Sequence, residues 1–284
     1  MRYVFMRYPG GKAKAVTFSY DDGVWQDKRL AEIFDRYGMK CTFNLNCDCF
    51  HEDGFTPEQL SEFFLSKGHE IAVHGQCHRA NGNLRPIEGI KDVLYCRLEL
   101  EDKCGRIIRG MAYPDSGIVI QGNFVSYSQI KQYLTELDIA YARSHSGDNN
   151  SFELPEDFHN WVPSVRHRNP KFHEYVDEFI NLYVSKIGNP SGRHPRLLYI
   201  WGHSYEFDND DNWDVIITAC EKLSHSDDIW FATNIEIYDY IEAYKNLKYS
   251  ADGHLVYNPS VTEVWIDADG VRFCIKPGET VRIG

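Results

Sequence analysis

Short apolar runs alternate with stretches of helical periodicity along the chain up to about residue 246. Runs rich in β-branched and aromatic residues fall at Ala15–Tyr20, Lys40–Leu45, Glu70–His74, Arg106–Tyr113, Ile139–Ser144, Arg196–Trp201 and Asp228–Ala232, and each predicts a strand. Between them, apolar positions recur every three or four residues. Leu30, Ile33, Phe34 and Tyr37 line one face of a segment that starts near Gln26 and stops at Gly38. Three helix starts carry reciprocal caps: Thr56 with Gln59, Ser126 with Gln129, and Thr233 with Glu236.

Seven strand–helix units of this kind imply an α/β fold with a parallel sheet and right-handed crossovers. The residues that end the strands help to choose between an open sheet and a barrel. Asp21 and Asp22 follow the first, Asn46 the second and His74 the third; Tyr113-Pro114 ends the fourth, Arg143 the fifth and His203 the sixth. Polar groups at the C-terminal ends of several strands converge most readily at a barrel mouth. The expectation is a distorted (β/α)7 barrel over residues 1–246. Short strand signals at His254–Asn258, Glu263–Ile266, Val271–Lys276 and Thr280–Ile283 then predict a small β appendage over residues 247–284. A tail that short needs the barrel to pack against.

Composition narrows the function. With 43% hydrophobic and 25% charged residues, the chain is not dominated by disorder. A net charge of −12 and no basic tract argue against a nucleic-acid partner, whose phosphates require a basic face. No apolar stretch reaches membrane-spanning length and Met1–Lys12 has no apolar leader, so a cytoplasmic protein without membrane contact is expected. The eight cysteines lie mostly on apolar patterns and are expected to be reduced and structural. Cys47-Asp48-Cys49 lacks the second cysteine pair that a soft-metal site needs.

Three distant segments carry the chemistry: Thr17-Phe-Ser-Tyr-Asp-Asp-Gly23, His74-Gly-Gln-Cys-His78 and Leu198-Tyr-Ile-Trp-Gly-His-Ser204. Asp22, His74 and His78 form a ligand set for a divalent metal that leaves a coordination position for water; it suits zinc foremost, and also cobalt, nickel, iron or manganese. One helical turn from the strand end would put both imidazoles on one side. The spare carboxylate, Asp21, reads as a general base and His203 as a general acid, with Trp201 walling the cavity. Each motif alone has a plainer reading: Asp-Asp-Gly as a solvated turn, and a strand-ending histidine as a hydrogen-bonded core residue.

Together the segments resemble the polysaccharide deacetylase family, also called the NodB-homology or carbohydrate esterase family 4 group. Thr17–Gly23 is similar to the family's T-F-D-D-G with an insertion, His74–His78 matches H-x-x-x-H, and Leu198–His203 is similar to its last motif, an apolar strand ending in His. The resemblance runs from about Ala15 to Tyr244. It implies a distorted (β/α)7 barrel that removes acetyl groups from an N- or O-acetylated carbohydrate. It also implies Asp21 as base, Asp22, His74 and His78 as metal ligands, and His203 as acid.

The middle motif departs from the family's R-P-P-Y. Here the stretch is Met111-Ala-Tyr-Pro-Asp115, where only Pro114 fits cleanly. Tyr113, Pro114 and Asp115 are still expected at the cavity, with a backbone N–H near Asp115 aiding an oxyanion. Arg109 or Arg143 is left to brace Asp21. An Asp-x-x-Asp-Trp-like segment is also absent; Tyr141-Ala-Arg-Ser-His145 stands in its place. These departures keep two rivals open, an amidohydrolase acting on a cyclic ureide, imide or other small amide or ester, and a non-catalytic carbohydrate-binding barrel. The intact acidic and histidine set speaks against the second. Thiol titration of the denatured, unreduced protein should find nearly all eight cysteines free; two or more disulfides would contradict the reducing compartment.

Overall fold

The computed structural model describes residues 2–47, 54–122, 124–145, 149–185 and 189–284. The first half runs β1 (Val4–Arg7), β2 (Lys14–Asp21), α1 (Gln26–Arg36), β3 (Cys41–Leu45), α2 (Pro57–Phe63), β4 (Glu70–Val73), α3 (Pro86–Cys104), β5 (Gly110–Ala112), α4 (Tyr127–Glu136) and β6 (Tyr141–Arg143). It continues with β7 (Val165–Arg166), α5 (Phe172–Asn181), β8 (Arg196–Gly202), α6 (Tyr205–Asn209), α7 (Asp214–Ser224), β9 (Ile229–Phe231) and α8 (Asn234–Lys245). Short strands close the chain: β10 (Lys248–Tyr249), β11 (Leu255–Tyr257), β12 (Val264–Ala268), β13 (Val271–Ile275) and β14 (Thr280–Arg282). The caps read at Thr56, Ser126 and Thr233 all form.

Strand β2 is the hub. Its eight residues are all buried, and the parallel sheet runs outward from it through β3, β4 and β5 to β6 on one side, and through β8 to β7 on the other. A parallel bridge between Arg143 and Trp161 then joins β6 to the segment leading into β7. Those seven strands therefore wrap around an axis, and the distorted (β/α)7 barrel is the architecture found. The seventh strand is not the expected one. Asp228–Ala232 yields β9, which pairs with Lys14–Val16 at the base of β2, on the edge where Phe18–Asp21 pairs with β3. The strand that completes the ring is β7, whose Ser164-Val-Arg-His167 setting offers a single aliphatic residue to a hydrophobic pattern.

Helices cover the outside, burying Leu30, Phe34, Val93, Leu134, Val176 and Ile216 against the sheet. Polar groups fill the barrel's base, where the first turn of α8 docks. The Ile235 N–H donates to Glu70 Oε2 (2.9 Å) and the Asn234 N–H to the Thr42 hydroxyl (3.0 Å), which satisfies donors a helix start leaves open. Tyr141 (2.7 Å) and Thr42 (2.8 Å) donate to the same Glu70 carboxyl.

The appendage recruits the chain's beginning. β1 pairs antiparallel with β12, which pairs with β13, while β10, β11 and β14 form a second sheet. Asp267 pairs within this layer with Arg7 (3.3 Å) and reaches out of it to Arg193 (2.8 Å), in the segment just before β8, all three nearly shut away from water. The seven described cysteines are unbridged, whereas Asp48 and Cys49 of the Cys-Asp-Cys segment lie outside the described residues. Among the described residues no helix is long and apolar enough to cross a membrane.

Burial pushes the Glu70 carboxyl up to about 7 against hydrogen bonds from Ile235, Tyr141 and Thr42 that pull it down. A raised carboxyl makes the native state take up a proton, so Glu70's contribution to stability falls as pH rises from its ordinary 4.5 to about 7 and is constant above that. The wild type should therefore lose on the order of 2–3 kcal/mol relative to Glu70→Gln between pH 5 and pH 8 in urea unfolding. A difference independent of pH would contradict it.

Candidate active site

The carboxylates and imidazoles singled out in the sequence meet at the C-terminal rim of the barrel, each delivered by a strand end. Asp21 closes β2. Pleating would send Asp22 to the opposite face, but Asp22 takes a φ of 84° and Gly23 follows at 68°. This left-handed pair folds the chain back, and a Cβ at Gly23 would stand 2.9 Å from Leu45 Cγ. Both carboxylates consequently face one cavity: His203 Nε2 lies 3.9 Å from Asp21 Oδ2 and 4.0 Å from Asp22 Oδ2.

His74 follows β4 directly. The stretch from His74 to His78 is not the helical turn expected, because Gly75 (φ 78°) and His78 (φ 50°) are left-handed and make it a loop. The loop still brings the imidazole centroids within 4.9 Å. Asp22 Oδ1 stands 3.5 Å from His74 Nε2 and 3.4 Å from His78 Nε2. Nδ1 of His74 donates to the Ala112 carbonyl at 2.9 Å, which fixes the ring with Nε2 turned to Asp22.

These three residues fit a divalent ion. Two donors each about 2.0–2.1 Å from a tetrahedral ion stand roughly 3.3 Å apart, close to the separations found. Asp22 Oδ1 is buried without a hydrogen-bond partner, an acceptor waiting for a cation. Burial raises the Asp22 carboxyl, but His74 and His78 against it and His203 nearby outweigh that and hold it well below the usual carboxylate range.

Asp21 is held differently. Oδ1 accepts from Asn44 Nδ2 at 2.9 Å, Oδ2 accepts from Arg143 Nη2, and all three side chains are buried. Arg143 spreads over Trp201, 4.4 Å from the ring centre, and Arg166 lies 5.1 Å from the same ring. Across from Asp21, His203 Nδ1 lies 3.5 Å from Glu206 Oε2 and 3.4 Å from Arg166 Nη2. Burial raises Glu206, but His203, Arg166 and His167 together bring it down to about 2, so an anion faces the His203 ring.

The remaining expected residues divide. Trp201 is 6.0 Å from His203, ring to ring. Pro114 packs at Gly75, whereas Tyr113 is buried with its hydroxyl donating to the His159 carbonyl at 2.8 Å. Asp115 is exposed, and its carbonyl accepts from the His145 ring. Arg109 is not at the site; it pairs with Asp239 of α8 at 3.0 Å, which leaves Arg143 as the brace of Asp21. Sequence reasoning missed Asn44, Arg166 and Glu206. Asn44 had a signal, a lone amide inside an otherwise buried strand. Arg166 and Glu206 had none, because neither lies on a recognisable pattern.

Residues 7–135 match the family model described as polysaccharide deacetylase. The resemblance to the polysaccharide deacetylases therefore stands. It marks the chain as an enzyme and supports carbohydrate deacetylation. None of the curated proteins matches in sequence. Among solved structures, a Mycobacterium smegmatis protein described as a candidate polysaccharide deacetylase superposes with a TM-score of 0.60 at 17% identity, over 86% of this chain and 96% of that one. The Xyl-CE4 domain of a multidomain xylanase from the hindgut metagenome of Trinervitermes trinervoides gives 0.51 at 19%, over 85% and 98%. The chitin deacetylase of Colletotrichum lindemuthianum gives 0.50 at 15%, over 82% and 89%. At such identities these likenesses speak for the fold alone.

Removing Arg143 strands a buried carboxylate. Arg143→Ala should lose about 3–5 kcal/mol in denaturant unfolding, and much less in an Asp21→Asn background. Equal losses in both backgrounds would show that the ion pair does not hold this part of the barrel.

Proposed function

We propose that the protein is a metal-dependent deacetylase that hydrolyses an N- or O-acetyl group on a carbohydrate, zinc being the first choice of ion. The observation that carries this reading is the convergence of Asp22, His74 and His78 at chelating distance beside a second carboxylate and a third imidazole. A divalent ion held by Asp22, His74 and His78 would supply Lewis acidity toward the acyl oxygen and the attacking water.

The chain's own groups do the rest. Asp21, oriented by Asn44 and Arg143, takes the proton from water as it attacks the acetyl carbon. Its orientation is rigid because both of its oxygens are engaged within the barrel wall. His203 faces Asp21 across the cavity and donates a proton to the departing amine or alcohol. The Glu206 carboxylate lies 3.5 Å from Nδ1 and backs the ring on the side away from Asp21, so Nε2 is the nitrogen turned to the cavity. Trp201, clamped under Arg143 and Arg166, walls the cavity beside the acid. Asp115 follows β5 at the same rim, where a backbone N–H would assist the oxyanion.

Base and acid acting in opposite states predict a bell-shaped pH profile of kcat/KM on an acetylated oligosaccharide. Asp21→Asn should lose about 10²–10⁴-fold in kcat while keeping one equivalent of metal. His203→Ala should slow an unactivated acetamide far more than an activated aryl acetate, which departs without a proton. If it slows both equally, His203 is a structural residue and the acid lies elsewhere.

A further inference from the structure

We infer that Asp92, from helix α3, is the positioning residue of the metal loop, setting the register in which His74 and His78 are presented. This rests on the metal reading above. Asp92 lies well outside the motifs that carry the resemblance and touches none of the three proposed ligands directly, yet it is bonded to the loop between them. Its Oδ1 accepts from the Cys77 N–H at 2.8 Å, and its main-chain carbonyl accepts from the Gln76 N–H at 3.1 Å. Two successive amides of the five-residue segment His74–His78 thus end on one helical residue.

The fit is close on the other side as well. A Cβ at Gly75 would come within 2.5 Å of Asp92 Oδ2, and the φ of 78° there already suits glycine. Asp92 is only 6% exposed, and Oδ2 is buried with no hydrogen-bond partner. A carboxyl sunk this deep is costly unless it orders something. Here it replaces the missing internal hydrogen bonds of a loop that cannot be helical, with a 19-residue helix as the rigid support. The loop amides are the donors and Asp92 the fixed acceptor, so the spacing between the two imidazoles follows from where α3 lies.

The test is zinc affinity, measured by chelator competition on the full-length apo chain, with thermal unfolding alongside. Asp92→Ala should raise the zinc Kd about 10- to 100-fold. Asp92→Asn, whose amide oxygen still accepts from Cys77, should bind within about threefold of wild type, a rescue that lost charge alone would not give. A merely structural role would lower the melting temperature and leave the Kd of the folded protein unmoved, and that result would overturn the inference. Equal losses in Asp92→Ala and Asp92→Asn would also overturn it, because charge rather than position would then be at work. Should Asp92→Ala fail to fold, Gly75→Ala carries the same test, since its Cβ must displace the carboxyl; unchanged affinity there refutes the contact. A wild type that binds no zinc would sink the metal reading itself, whereas tight binding by wild type and Asp92→Ala alike would sink only this proposal.

Discussion

A guanidinium and a carboxylate, both closed off from water, face each other across the barrel: Arg143 from β6 and Asp21 from β2. Neither charge is tolerable there alone, because burying an unpaired ion costs several kcal/mol. The strands that carry them are four places apart in the sheet, so only its curling brings them together. The pair thereby constrains the closure of the barrel and the aim of the carboxylate at once. Asn44 takes the remaining oxygen from β3, and Trp201 is trapped beneath the guanidinium. A carboxylate oriented on both oxygens, with an aromatic wall beside it, is a consequence of that single constraint.

The rim divides its charges by environment. Asp21 is fixed by an amide and a guanidinium inside the wall, whereas Asp22 is turned outward by a left-handed residue toward two imidazoles. His203 sits between them with an anion, Glu206, on its far side. Adjacent carboxylates on one turn are thus given different partners, which is what the proposed division into proton acceptor and cation ligand requires.

Much of this was legible in the sequence because it rests on local patterns. Apolar runs ending in Asp21-Asp22, His74 and His203 located three strand ends, and cap residues located helix starts. What stayed hidden depended on long-range contact. β7 carries one aliphatic residue and is a strand only because β8 pairs with it. Arg109 and Arg143 both flank short strands, and sequence position could not tell which end of the barrel each occupies; Arg109 precedes its strand and so lies at the base. The helical turn expected between the histidines gives way to left-handed backbone at Gly75 and His78, and the Gln76 and Cys77 amides bond instead to Asp92, far along the chain in α3. Likewise β1 joins the appendage through a partner near the opposite terminus.

The central claim is that Asp22, His74 and His78 share one ion. The most direct measurement is a titration of the apo protein with Co²⁺ followed by visible absorption, because the d–d bands report ligand type and number. Saturation is expected at one equivalent, with bands of a mixed nitrogen and oxygen set that disappear in a folded His74→Ala/His78→Ala variant. Absence of saturable binding, or the same bands in the double variant, would contradict it.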